Sequence, residues 1–103
     1  MGLVQISQED PESNITIHSG VDDQVRVRIQ PSETYEAFFI TWSTSGARES
    51  FTTALEAVTE GVSRVVAYDN AVRAQRENRT SAYQQMREAV QYVVEHEDGV
   101  EVD

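Results

Sequence analysis

A chain of 103 residues is enough for one domain with a modest core. Its 18 carboxylates face only 8 basic residues, all arginine, for a formal charge of −10. Such a field repels nucleic acid and anionic membrane unless positive charge is gathered locally, and the lack of cysteine excludes disulfide and thiolate chemistry.

Taken in order, Leu3, Val4 and Ile6 suggest a short edge strand, and Glu9–Ser13 a turn around Pro11. Ile15 and Ile17 alternate with Thr16 and His18, the period of a half-buried strand. Gln24–Gln30 is the clearest strand, with Val25, Val27 and Ile29 on one face and Arg26, Arg28 and Gln30 on the other. Pro31-Ser32-Glu33 interrupts it. Tyr35–Trp42 is rich in aromatic and β-branched residues and reads as the next strand, apolar on both faces. The rival is a helix opened by Pro31, but Phe-Phe-Ile-Thr-Trp is poor helix material.

The long stretch Ser45–Arg79 predicts a helix with Ser45 as N-cap. Its apolar residues Phe51, Leu55, Val58, Val62, Val65 and Val72 form one stripe, interrupted at Asp69. A helix of that length outruns a domain of this size. It therefore either breaks near Gly61 or overhangs and packs on a second copy. Asn78-Arg79-Thr80 reads as a turn, and Ser81 to Gln84 as a capping box opening a second helix. Tyr83, Met86, Val90, Val93 and Val94 stripe that helix, and Gly99 ends it. Val100 and Val102 either add a short strand or fray.

The expected architecture is a single α+β domain over 1–103: an antiparallel sheet of three to four strands followed by two helices packed on one face. The strand region covers about 3–43, the helical region about 46–98, and an acidic tail 99–103.

No apolar run reaches the roughly 18 residues needed to cross a membrane. Nor does the N-terminus carry the pattern of a signal peptide, so a cytoplasmic protein without membrane partners is expected. Without a signal peptide, the sequons at Asn14 and Asn78 read as chance. No catalytic, cofactor or metal motif is present. His18 and His96 fall in different elements, and neighbours of His96 on a helix point in different directions. Arginines are better placed. Arg26 and Arg28 share a strand face, and Arg73, Arg76 and Arg79 follow at steps of three. Dipole complementation and intrachain pairing are the simplest uses of these groups. The sharper expectation is a non-enzymatic interaction module, a homo-dimer or other homo-oligomer joined around Val65, Tyr68, Val72, Arg73 and Arg76. The alternative is a nucleic-acid-binding regulator using Arg26, Arg28, Arg73, Arg76 and Arg79, which the net charge disfavours.

Acid-rich, lysine-free composition resembles that of proteins from extreme halophiles; an arginine-favouring genome is the plainer cause. The halophile reading predicts a thermal midpoint that rises as potassium chloride goes from low to molar concentration. At about 1 M the Debye length is only about 3 Å, which relieves repulsion among carboxylates. A flat or falling midpoint would remove the halophile reading.

Overall fold

The computed structural model describes residues 2–102. Five strands run in chain order: β1 (Gln5–Ser7), β2 (Ile15–His18), β3 (Arg26–Pro31), β4 (Phe38–Trp42) and β5 (Arg48–Phe51). Each pairs antiparallel with the next, so the sheet is a simple meander. One helix, α1 (Ala54–His96), follows. The α+β class holds, with five strands in place of three to four and one helix in place of two. The chain divides into two compact units, one ending at Val72 and the other beginning at Arg73, so the boundary lies inside α1.

In the first unit, alternation sets the two faces of the sheet. Ile17, Val27, Ile29 and Ile40 point to one side and are almost wholly buried. Against them lie Ala57, Gly61 and Val65 of α1, spaced by four, with Val58 and Val62 beside them. Phe38, Trp42 and Phe51 close the margins of this core, half-buried. Leu55, expected in the stripe, is 77% exposed, because the buried face centres on the 57-61-65 line and turns Leu55 outward.

Gly61 is not a break. A Cβ there would lie 2.7 Å from Ile17 Cδ1, so the missing side chain lets the helix backbone approach β2 and β3. The propensity cost of about 1 kcal/mol is the cost of that approach.

Several boundaries differ from expectation. β3 runs Arg26–Pro31 rather than Gln24–Gln30, so Pro31 is its last residue and not its interruption. β4 begins at Phe38 rather than Tyr35, since Tyr35 adopts φ +62° inside the turn that joins β3 to β4. Helix formation begins at Ala54 rather than near Ser45, and Arg48–Phe51 is a strand paired with β4. Ser45 instead caps the β4–β5 turn, its Oγ accepting from Ala47 N at 3.2 Å, with Gly46 left-handed at φ +71°. The helix N-cap is Thr53, whose Oγ1 accepts from Glu56 N at 3.1 Å.

The turn expected at 78–80 is absent as well. Thr80 Oγ1 donates to the Arg76 carbonyl at 3.1 Å within continuous helix, and Ser81 accepts from Gln85 Nε2 at 3.3 Å instead of capping. The helix ends where expected, with Gly99 left-handed at φ +80°. Val100 and Val102 form no strand; Asp103 lies outside the described residues.

Asp69, which interrupts the apolar stripe, is 1% exposed. Its carboxylate accepts from Ser19 Oγ at 2.5 Å and from Gly20 N at 2.7 Å. Ser19 Oγ in turn accepts from the Val21 and Asp22 amides at 3.2 and 3.1 Å. One helix carboxylate therefore fixes the β2–β3 corner, and the core ends there. Asp69→Ala should cost about 2–3 kcal/mol in a urea melt, because two part-buried donors lose their carboxylate acceptor. A loss below about 0.5 kcal/mol would mean the corner holds itself.

Candidate functional site

Two surfaces of the molecule are left over from the packing just described, one in each unit.

The first is the open face of the sheet. Every second strand residue points away from α1, and register sets these residues in rows. Thr16, Arg28, Thr41 and Arg48 lie side by side across β2 to β5. His18 stands beside Arg26 in the adjoining row. Arg26 and Arg28 are about 7 Å apart along β3, and Arg28 and Arg48 about 10 Å apart across two strands. All three arginines are exposed. The Arg48 guanidinium lies over the Phe39 ring, 4.8 Å from its centroid. His18 Nε2 is 2.8 Å from Ser7 Oγ. Thr41 Oγ1, in register between Arg28 and Arg48, is shielded and has no hydrogen-bond partner among the described residues.

Among the described residues, no strand residue of this face is a carboxylate. Among the described acids only Glu49 stands in a strand, and it points to the helix side, where Arg64 Nη1 meets it at 2.6 Å. That hydrogen bond holds the Glu49 carboxyl below the usual carboxylate range and raises Arg64. Among the described residues, by contrast, Arg26, Arg28 and Arg48 have no ion pair. Two depressions adjoin them. One, of about 400 Å³, is lined by Thr16, Arg26, Arg28, Thr41, Trp42 and Ser43. The other shares Thr16, Arg26 and Arg28 and is lined also by Ser7, Glu9 and His18.

The second surface belongs to the unit that begins at Arg73. From Ala74 to Val102 every described residue except the half-buried Val94 is exposed. Tyr83, Met86, Val90 and Val93 recur at steps of three, four and three, each more than 40% exposed. Arg76 and Arg79 precede them at the same spacing, with the Arg79 guanidinium 5.7 Å from the Tyr83 ring centroid. Glu95, Glu97, Asp98 and Glu101 follow. His96 Nδ1 lies 2.9 Å from the Tyr92 carbonyl, and its ring stacks on Tyr92 at 4.0 Å.

The residues expected to carry function are thus divided. Arg26 and Arg28 share one face, joined by Arg48, which the helix-like pattern of its stretch conceals in the sequence. Arg73, Arg76 and Arg79 belong to the other unit. Val65 is wholly buried in the core of its own chain, so it offers no surface to a partner. Tyr68 is half-buried and donates its hydroxyl to Asp22 Oδ2 at 3.3 Å, and Val72 is half-buried at the end of the first unit. Among the described residues no three His, Asp or Glu side chains gather as a metal site, and no helix is long and apolar enough to cross a membrane. No family model matches the chain, and neither a curated protein nor a solved structure shows a significant match.

Proposed function

We propose that this protein is a non-enzymatic structural module that self-associates, two copies pairing antiparallel through the part of α1 beyond Val72. The observation that carries the reading is the exposed stripe Tyr83, Met86, Val90 and Val93. Its three-four spacing is the seam by which helices interlock knobs into holes. A helix with such a stripe left in water has little but local propensity to hold it, whereas helices in proteins draw most of their stability from packing. Gln84–Glu88 and Gln91–Glu95 contacts, each 3.4 Å, supply only a few tenths of a kcal/mol apiece.

Charge selects a second copy as the occupant and sets its direction. Laying Met86 against Val90 of the second copy brings Tyr83 against Val93 and Arg79 against Glu97. Two-fold symmetry repeats each contact. Arg76 then falls beside Glu101 of the acidic tail. A parallel pair in register would instead set Arg76 on Arg76, Arg79 on Arg79 and Glu97 on Glu97, which repels. Arg87 flanks the axis at the solvent rim, where salt screens it. The overlap lies within the second unit, so the core residues Val65 and Asp69 are not needed for it.

Met86→Asp combined with Val90→Asp tests the reading, since both side chains are exposed in the single chain and the core is untouched. Light scattering in molar potassium chloride should give a dimer for the wild type at tens of micromolar and a monomer for the variant. Trp42 fluorescence should be unchanged between them. A wild type that is monomeric, or a variant that remains dimeric, would overturn the proposal.

A further inference from the structure

The open face of the sheet has no part in that association, and its chemistry is unlike the rest of the chain. In a protein of charge −10, the described strand residues of this face include no carboxylate and three of the eight arginines, with Glu9 of the β1–β2 loop the one acid that lines its depressions. Chance placement of surface charge does not favour this, because acids outnumber arginines more than two to one. Simple solvation of the face does not require it either, since Ser, Thr and Gln would serve.

We propose that this face binds single-stranded nucleic acid, with phosphates on Arg26 and Arg28 and a base on the platform formed by Arg48 and Phe39. The Arg26–Arg28 pair lies between the two depressions, which share it as a common wall, so a chain of phosphates crossing the sheet meets both guanidiniums. Each guanidinium is exposed and without a carboxylate partner among the described residues, ready for bidentate phosphate contact. Thr41 Oγ1, between Arg28 and Arg48, is a hydroxyl still lacking a partner. The Arg48 guanidinium on the Phe39 ring is a flat, cationic stacking surface. Bases stack on such surfaces only when they are unstacked from their neighbours, which selects single strands over duplex. A flat sheet also offers no helix or ribbon to enter a major groove. The acidic remainder of the molecule opposes approach at long range. That repulsion is confined to about 8 Å at physiological ionic strength, while contacts on the face are made at hydrogen-bond distance.

The test is fluorescence anisotropy of a labelled oligothymidylate against the full chain. Potassium chloride is varied across the range in which circular dichroism shows the fold intact. Two phosphate-directed arginines predict a slope of log affinity on log salt of about −1.4, at about −0.7 per contact on a single strand. Arg26→Gln with Arg28→Gln should lower affinity about tenfold or more and bring the slope close to zero. Thr59→Glu with Ser63→Glu changes the net charge by the same amount on the exposed side of α1 and should bind as wild type. Phe39→Ala keeps every charge and should lose about five- to tenfold in affinity with the slope unchanged. Absence of binding by the wild type would overturn the proposal. So would wild-type affinity in the arginine variant, an equal loss in the glutamate control, or a duplex of the same length bound as tightly as the single strand.

Discussion

A sheet has two faces, and this chain has one helix with which to cover them. Everything else in the molecule follows from that shortage. The face turned to α1 is built of Ile17, Val27, Ile29 and Ile40, and the helix meets it with Ala57, Gly61 and Val65. Small residues on the helix and branched aliphatics on the strands bring the two layers close, which suits a core with few large side chains. The described strand residues of the opposite face are polar apart from Phe39, which lies under Arg48. Along α1 the buried line ends at Asp69, yet the three-four recurrence of apolar residues resumes at Tyr83.

Electrostatics follows the same division. Carboxylates are kept out of the strands, with Glu49 the single exception, and it is matched by Arg64. The Glu49–Arg64 pair is exposed and therefore adds little to stability at neutral pH. What it does add is lost as pH falls through the lowered Glu49 value. The buried Asp69 is different in kind. It has no cationic partner among the described contacts and is held by a hydroxyl and an amide. It works as a fixed acceptor for a loop corner, not as one half of an ion pair.

Much of the sheet is legible in the sequence because strict period-two alternation fits a strand and little else. Val25, Val27 and Ile29 against Arg26 and Arg28 place β3 to within two residues and its two faces correctly, and the basic pair on its open side with them. β5 is hidden by coincidence. Phe51 lies four residues before Leu55, so a strand residue continues a helical stripe, and Arg48 is hidden with it. The true start is nonetheless written in the chain, as Thr53 followed by Glu56 is a capping pair. Ser81 and Gln84 match the same pattern and do not cap, because their backbone donors are already satisfied inside α1. Between Gly61 and Gly99 there is neither glycine nor proline, and that absence is the better guide to an unbroken helix. Spacing alone does not separate an exposed stripe from a buried one. Val65 and Val90 look alike in sequence, and only burial in the folded chain tells them apart.

The two proposals use different units and different chemistry, so either can stand without the other. Pairing of the second units joins two copies and leaves each sheet face to act alone or as one of a pair, which would raise affinity for a long strand by linkage rather than by new contacts. Antiparallel pairing is the central claim, and the lack of native cysteine makes it directly measurable. Chains carrying Arg79→Cys and chains carrying Glu97→Cys are mixed and oxidised under mild conditions. Antiparallel pairing predicts a disulfide between the two kinds of chain, since a disulfide needs its Cβ atoms about 4 Å apart and only unlike positions face each other, and little between like chains. Efficient cross-linking of Arg79→Cys chains to one another, or none in the mixture, would contradict it.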